Sequence, residues 1–257
     1  MTTALITGAT AGIGAAFARR LAEDGHDLVL VARDTERLTA AAGQLAERFG
    51  VHTEVLAADL ATEAGIGAVE ERLRQAERPV GILVNNAGFG NKGAYLDVPL
   101  EQELDMVKVH IEAVLRLTGA AVPGMRERGF GGVVNVASVG AFVPRGTYGA
   151  SKAWMVSFTL GVARDLTGSG VRLLALCPGF TRTEFHQRAE MGTGNIPRWA
   201  WLSADRVVDE ALRDLARGRS LSVPSKRYKM VVALARLLPA GGLGGFSSKA
   251  ARTYRTG

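Results

Sequence analysis

Several features are scarce in this 257-residue sequence. The only cysteine, Cys177, cannot form an intrachain disulfide, and its place in an apolar run indicates a small buried side chain. No uninterrupted apolar run approaches the roughly 20 residues that a membrane-spanning helix needs. The N-terminus has no basic segment followed by an apolar stretch and a small-residue cleavage site. We therefore expect no secretory signal and a cytoplasmic protein.

Acidic residues are absent from the C-terminal part. Residues 217–257 contain nine Lys and Arg and no Asp or Glu, so of the net charge of +6 the preceding residues carry −3. Because no basic stripe with interleaved aromatic residues lies in residues 1–216, we do not expect a nucleic-acid partner. The basic tail, 225–257, includes an apolar segment at 230–238. This combination predicts either peripheral contact with an anionic membrane or packing against the body or a second subunit.

The N-terminal segment joins an apolar run to a glycine-rich turn. Residues 3–7 predict a buried strand, and Gly8, Gly12 and Gly14 come before apolar residues at helical spacing. Glycine tolerates positive φ, and the helix that follows offers free N–H groups to an anion. The segment thus predicts a dinucleotide site, although its G-x-x-x-G-x-G spacing differs from the general G-x-G-x-x-G pattern. A glycine turn that only packs a helix on a strand is the alternative.

Apolar strands and amphipathic helices alternate along the rest of the chain. We predict strands at 27–32, 51–57, 80–84, 131–138, 171–177 and 220–224, and helices at 35–49, 62–76, 97–122, 148–166 and 203–217. This alternation predicts a parallel sheet with helices on both faces and a ligand site at the carboxyl ends of the strands. No repeat or linker interrupts it, so we predict one domain over residues 1–257.

The end of the second predicted strand carries a cation where an NAD enzyme usually places an acid. The guanidinium of Arg33 can pair with a 2′-phosphate, which a carboxylate would repel. We therefore favour NADP(H) over NAD(H) as the cofactor. The neighbouring Asp34 keeps NAD(H) open.

A phenol and an ammonium lie four residues apart at the start of the helix predicted at 148–166. This spacing places Tyr148 and Lys152 on one helical face. We expect the charge of Lys152 to lower the pKa of Tyr148, so that the phenol exchanges protons nearer neutrality. A solvated helix face would show the same Tyr-x-x-x-Lys pattern.

Five motifs in chain order together resemble the short-chain dehydrogenase/reductase family. They are Thr7-Gly8-x-x-x-Gly12-x-Gly14, Asn85-Asn86-Ala87-Gly88, Ser138, Tyr148-x-x-x-Lys152 and Pro178-Gly179. The resemblance covers residues 3 to about 183. It implies an α/β, doubly wound Rossmann fold with a mostly parallel, seven-stranded sheet, a nicotinamide cofactor over the strand ends, and a homo-oligomer.

The resemblance also implies the roles of individual residues. Tyr148 would be the general acid in carbonyl reduction and the base in alcohol oxidation, Ser138 would hold the substrate oxygen, and Lys152 would hold the nicotinamide ribose. The cofactor-binding residues would be Gly8, Thr10, Gly12, Ile13, Gly14, Arg33, Asp59, Leu60, Asn86, Ala87, Gly88, Tyr148, Lys152, Pro178, Gly179 and Thr181. No metal site is predicted.

His110 departs from the family pattern, because the family usually has an asparagine there that fixes a water feeding protons to the lysine. A neutral imidazole can donate and accept hydrogen bonds in the same place, whereas its protonated form would add a second cation beside Lys152. We hypothesise a proton-relay role for His110, with a structural substitution as the alternative. The loop 139–147 is also short for the family, which affects the substrate wall rather than the chemistry.

Residues 184–202 occupy the place of the family's mobile substrate lid. Phe185, Met191, Trp199 and Trp201 give this segment apolar side chains, which predicts an apolar substrate. Core packing is the alternative for the tryptophans, and a solvated loop position is the alternative to a substrate contact for His186.

The leading hypothesis is therefore an NADP(H)-dependent oxidoreductase that acts on an apolar ketone, aldehyde or alcohol. A cofactor-binding regulator or scaffold without catalysis is one alternative. A membrane-surface, lipid-modifying reductase is the other.

Overall fold

The computed structural model describes residues 2–184 and 197–237. Seven parallel strands form one sheet in the order β3-β2-β1-β4-β5-β6-β7. The strands are β1 (Thr3–Thr7), β2 (Asp27–Ala32), β3 (Thr53–Ala57), β4 (Val80–Asn85), β5 (Gly131–Val136), β6 (Val171–Leu176) and β7 (Leu221–Ser222). The strand order reverses between β1 and β4, and at such a switch point the loops after neighbouring strands diverge and leave a crevice. The doubly wound α/β fold predicted from the sequence is confirmed.

Helices connect the strands on both faces of the sheet. They are α1 (Gly12–Glu23), α2 (Thr35–Phe49), α3 (Glu63–Arg74), α4 (Leu100–Val107), α5 (Ala113–Glu127), α6 (Gly146–Asp165), α7 (Ala204–Ala216) and α8 (Lys226–Leu237). Three begin with a side-chain cap, because Asp34, Thr62 and Ser203 accept hydrogen bonds from backbone N–H groups in the first turns of α2, α3 and α7.

The most consequential differences from the sequence predictions concern the helix predicted at 97–122 and the end of β5. The helix predicted at 97–122 is a 3₁₀ turn at Tyr95–Asp97, then α4, a π-helical turn at Lys108–Glu112, and α5. Its apolar spacing fits a helix throughout, and hydrophobic periodicity does not separate α from π turns. β5 ends at Val136 rather than at Ser138, so Ser138 lies in the loop beyond the strand.

Most of the core lies in two layers, one on each face of the sheet, and a smaller third cluster surrounds Met155 and Cys177. Alternate residues of a strand point to opposite faces, so Ile6 packs with Phe17 and Leu21 of α1, whereas Leu5 packs on the other face with Leu117 of α5. Burial of one such side chain contributes about 1.5–3 kcal/mol. These layers hold the helices against the sheet and fix the loops at the carboxyl ends of the strands.

In the ranges 2–184 and 197–237, no helix is both long and apolar enough to cross a membrane.

Candidate active site

The glycine-rich turn lies between β1 and α1. Gly8 and Gly12 have φ of 67° and 56°, a region that favours glycine. The side chain of Asn86, at the end of β4, donates hydrogen bonds to the carbonyl oxygens of Thr7 (2.9 Å) and Gly8 (3.2 Å). The turn is therefore fixed to the end of the neighbouring strand.

Thr7 makes the reciprocal contacts, a role that was not predicted from the sequence. Its Oγ1 accepts hydrogen bonds from the backbone N–H groups of Asn86 and Ala87, both at 2.9 Å. Its position in the sequence, at the end of the first strand and just before the glycines, could have indicated this role. Thr7 and Asn86 together fix the two sides of the switch point.

A buried chain of polar side chains lies beneath the site. The Nδ2 of Asn85 donates to Oδ1 of Asn135 at 2.9 Å, and the Nδ2 of Asn135 donates to Oγ1 of Thr159 at 2.9 Å. These three residues join β4, β5 and α6. Buried amides that lose a partner are costly, so the chain favours one alignment of these elements.

The N-terminus of α1 suits a negatively charged group. No side chain caps it at Ala11, and its first turn contains no acidic residue. Its free N–H groups and the positive end of the helix dipole point toward the glycine turn. These features fit the pyrophosphate of a dinucleotide.

Two arginines lie near the end of β2, beside the cradle formed by the glycine-rich turn and the N-terminus of α1. Arg33 is exposed after β2, and the carboxylate of Asp34 accepts a hydrogen bond from the backbone N–H of Arg37 at 3.0 Å. The Arg37 guanidinium donates to the Thr10 carbonyl oxygen at 3.4 Å and pairs with Glu184 at 3.2 Å. Arg37 was not predicted from the sequence as a residue of this region.

The other predicted cofactor contacts lie around the same crevice. Asp59 accepts a hydrogen bond from the Ala61 N–H at 3.0 Å, and Leu60 is buried in the core, so only its backbone is available to a ligand. Ile13 packs against the core layer on the other face of the sheet from Leu60.

The segment after β6 is closely packed. A Cβ added to Gly179 would lie 2.1 Å from the ring of Tyr228, so this position has room only for glycine. The Oγ1 of Thr181 donates to the Gly179 carbonyl oxygen at 3.0 Å, and Thr181 pairs with Leu202 in an isolated bridge. Pro178 accepts a hydrogen bond from the Val139 N–H at 3.0 Å, which joins this segment to the loop carrying Ser138.

Tyr148 and Ser138 form the candidate acid–base pair. Their side chains are hydrogen-bonded, and the Ser138 hydroxyl also accepts a bond from the Gly140 N–H at 3.0 Å. Burial raises the pKa of Tyr148, while the Ser138 bond and the charge of Arg145 lower that pKa. The Arg145 guanidinium lies 5.5 Å from the centre of the phenol ring. Arg145 was missed in the sequence, where it stands three residues before the tyrosine.

The predicted effect of Lys152 on Tyr148 is wrong in this structure, since the net direction of the Tyr148 pKa is upward. Lys152 is buried, and its Nζ donates to the Val136 carbonyl oxygen at 2.9 Å and lies 5.9 Å from the centre of the phenol ring. Burial lowers the pKa of Lys152 to about 8. The helical spacing correctly places the two side chains together, but the desolvation of the phenol outweighs the opposing effects of the Ser138 bond and the Arg145 charge.

His110 is fully buried in the π-helical turn Lys108–Glu112. Its Nε2 accepts a hydrogen bond from the Phe89 N–H at 3.2 Å, and its Nδ1 lies 2.9 Å from the Ser151 Oγ. Its ring lies 5.8 Å from that of Tyr148 in an edge arrangement. Burial, and secondarily the charge of Lys152, hold the pKa of His110 well below 6.5. The imidazole is therefore neutral at physiological pH.

The structure describes part of the predicted lid. Phe185, His186 and Met191 lie outside the described residues. Trp201 is half-buried and contacts Phe180, with ring centres 5.9 Å apart.

Trp199 lies in the same part of the chain but is exposed. Its ring faces the Arg227 guanidinium, which lies 5.5 Å from the ring centre. The described part of the lid thus presents an apolar side chain at the surface.

Comparisons with known proteins agree with this geometry. A family model for the short chain dehydrogenases matches residues 2–193. Sulfoacetaldehyde reductase 2 of Chromohalobacter salexigens is 41% identical over 186 residues, which cover 70% of this chain and 73% of that protein.

Two solved structures resemble the whole fold. A short-chain dehydrogenase from Sphingobium yanoikuyae in complex with NADPH has a TM-score of 0.84 and 37% identity, over 92% of this chain and 94% of that one. The bulky-bulky ketone specific alcohol dehydrogenase from Comamonas testosteroni has a TM-score of 0.80 and 33% identity, over 92% of each chain. With the glycine turn, the Ser138–Tyr148 pair and Lys152 in place, the chain belongs to the short-chain dehydrogenase/reductase family of oxidoreductases, which act on CH–OH and C=O groups.

Proposed function

We propose that this enzyme uses NADP(H) to interconvert an apolar ketone or aldehyde and its alcohol, with Tyr148 as the general acid and base. The observation that carries the proposal is the hydrogen bond between Ser138 and Tyr148, beside buried Lys152 at the strand ends. The two hydroxyls lie close enough together to bond one substrate oxygen at the same time. A general acid must lie within hydrogen-bond reach of the atom that it protonates.

Ser138 and Tyr148 have different roles in carbonyl reduction. The nicotinamide supplies the hydride when it is bound. The Ser138 hydroxyl donates a hydrogen bond to the carbonyl oxygen and so stabilises the charge that develops there. Tyr148 then transfers its phenolic proton to that oxygen, and in alcohol oxidation the proton returns to the phenolate.

One cation lowers the pKa of the Tyr148 phenol, and a second lies close to its ring. Arg145 lowers the pKa of Tyr148, although not enough to offset burial. Lys152, whose Nζ is within 6 Å of the ring, adds positive charge at the same site. We assign Lys152 the further role of holding the nicotinamide ribose, as in the family pattern.

The surroundings of Tyr148 favour an apolar substrate. Val139, Ala141 and Phe142 on the short loop between Ser138 and Tyr148 pack in a third apolar cluster. The Comamonas relative is described as specific for bulky ketones, whereas the Chromohalobacter relative is named for sulfoacetaldehyde. Because these two names imply different substrate chemistry, the proposal of an apolar substrate rests on the apolar side chains near Tyr148 in this chain.

The preference for NADP(H) rests on the charges after β2. Arg33 is exposed there, and Asp34 is engaged in capping α2, which reduces its availability for a ribose hydroxyl. The Sphingobium relative was solved in complex with NADPH. These observations support a site for a 2′-phosphate.

We expect the purified enzyme to oxidise NADPH in preference to NADH when apolar ketones are supplied. Arg33→Ser should raise KM for NADPH about 10- to 100-fold and leave KM for NADH unchanged, because a charge-assisted hydrogen bond is lost. Steady-state rates with both cofactors measure this. Arg126→Ser, at an exposed position of α5, is the control. Equal losses with both cofactors would disprove the role of Arg33, and absence of turnover with any carbonyl would favour the non-catalytic regulator or scaffold.

A second candidate, action at a membrane surface, is favoured by helix α8. Tyr228 holds the inner face of α8 to the body, since its Oη donates to the Ala200 carbonyl oxygen at 2.8 Å and accepts from the Phe180 N–H at 3.1 Å. The outer face exposes Met230, Val231 and Leu234. These side chains and exposed Trp199 form what we term the apolar stripe.

We propose that an anionic lipid surface is the occupant of the apolar stripe. The segment 217–257 has nine basic and no acidic residues, so self-association through α8 would bring like charges together. Anionic lipid headgroups instead complement this charge, while the apolar side chains enter the boundary of the acyl chains.

The homo-oligomer and the cytoplasmic location expected from the sequence remain predictions.

We expect the full chain to sediment with vesicles of phosphatidylcholine and phosphatidylserine more than with phosphatidylcholine alone, and to be released by salt. The triple variant Met230→Ser, Val231→Ser, Leu234→Ser should weaken binding at least about tenfold, since apolar burial is lost. The double variant Leu100→Ser, Leu104→Ser removes exposed leucines elsewhere and is the control. Unchanged vesicle binding, or a change of oligomeric state in the triple variant alone, would contradict the proposal.

A further inference from the structure

The contacts of His110 form a hydrogen-bond chain whose direction is fixed. A backbone N–H can only donate, so the bond from Phe89 requires an unprotonated Nε2 on His110. A neutral imidazole then carries its proton on Nδ1 and donates to Ser151 Oγ. The Ser151 hydroxyl in turn donates to the Tyr148 carbonyl oxygen at 2.9 Å. Every proton along this chain is therefore assigned.

The chain joins two parts of the site that the sequence keeps apart. Phe89 follows the Asn-Ala-Gly segment after β4, whereas Ser151 and Tyr148 belong to the first turns of α6. Ser151 is 1% exposed and His110 is fully buried. Loss of any one link would leave a buried donor or acceptor without its partner, which is costly.

We propose that His110 and Ser151 are positioning residues, which hold the α6 turn that carries Tyr148 against the loop after β4, and that no proton passes through His110. The proposal rests on the proposed function in taking Tyr148 as the acid–base group. It replaces the proton-relay hypothesis for His110 and assigns a role to Ser151, which lies between the two family residues Tyr148 and Lys152.

No hydrogen bond joins the imidazole to Lys152 in the described part of the chain. Lys152 directs its Nζ to the Val136 carbonyl oxygen rather than to the ring. Protonation of Nε2 would set an N–H against the Phe89 N–H and place a cation near the ammonium of Lys152. Gly88 closes the same side, since a Cβ there would lie 2.7 Å from Nε2 and 3.6 Å from the Lys152 Nζ.

The first test reads the tautomer directly by nitrogen NMR of histidine-labelled protein without added cofactor or substrate. The signals of His26, His52, His110 and His186 can be assigned by single substitutions. We expect His110 to be the neutral Nδ1–H form, with no titration between about pH 6.5 and about pH 9. An Nε2–H tautomer or a titration in this range would overturn the proposal. This readout needs no turnover, so it stands apart from any failure of the proposed function.

The second test separates positioning from proton transfer. Ser151→Ala and His110→Phe should each lower kcat about 10- to 100-fold by misplacing the phenol, while the pH profile keeps its shape. The kcat of the double variant should be little lower than that of the less active single variant, because both substitutions break the same hydrogen-bond chain. Ser157→Ala, at an exposed position of α6, should match the wild type. A displaced pH profile in His110→Phe, or additive losses, would contradict the proposal; where a variant does not fold, the tautomer measurement on the wild type decides.

Discussion

Tyr148→Phe is expected to lower kcat by about 10²- to 10⁴-fold, because general acid–base catalysis contributes a factor of that size. The substitution removes only the phenolic oxygen, which is the atom that bonds Ser138 in the structure. The ring, its edge contact with His110 and the surrounding apolar packing are all retained. The fold and the glycine turn should therefore be unaffected.

The kinetic parameters separate this effect from a loss of binding. Affinity for NADPH, measured by fluorescence titration, should change by no more than a few-fold, and the loss should appear in kcat. Tyr95→Phe, at an exposed tyrosine on the 3₁₀ turn Tyr95–Asp97, is the matched control and should retain full activity. If Tyr148→Phe kept more than about a tenth of the wild-type kcat, Tyr148 would not be the general acid.

The order of the elements could be predicted from the sequence because hydrophobic periodicity reflects burial directly. β2 and α2 begin and end at the predicted residues, Asp27–Ala32 and Thr35–Phe49. A continuous apolar strand and a helix with an Asp cap and a terminal glycine each carry strong local signals. The resemblance then allowed the glycine turn and the Tyr148–Lys152 pair to be located.

The details that the sequence did not reveal depend on contacts between distant residues. The upward shift in the pKa of Tyr148 comes from burial, which local spacing does not report. The partners of His110 are Phe89, 21 residues before it, and Ser151, 41 residues after it. Neither contact follows from helical spacing, so a relay role and a structural substitution fitted the sequence equally well.

The outer face of α8 illustrates the same limit. The sequence shows a basic cluster at 226–229 followed by an apolar run at 230–238, but Tyr228 determines which side faces the body. Only after that contact is known do Met230, Val231 and Leu234 become an exposed stripe.

Gly14→Ala is expected to lower the free energy of unfolding by about 3 kcal/mol and to abolish measurable NADPH binding, because an overpacked site forces the backbone to shift. A Cβ at this position would lie 2.2 Å from the Gly8 carbonyl oxygen and 2.4 Å from Asn86 Nδ2. Those two atoms bond each other and hold the glycine turn to the end of β4. Their separation would displace the N–H groups that we assign to the pyrophosphate.

Gly43→Ala provides the matched control, since it makes the same change at an exposed position within α2, where an added Cβ meets no atom within 4 Å. It should raise the free energy of unfolding by about 0.5–1 kcal/mol, because glycine is unfavourable inside a helix. Urea unfolding and NADPH titration of both variants measure the contrast. Should Gly14→Ala unfold at the same urea concentration as the wild type and still bind NADPH, the glycine turn would not be the rigid cradle described above, and the cofactor would have to bind elsewhere.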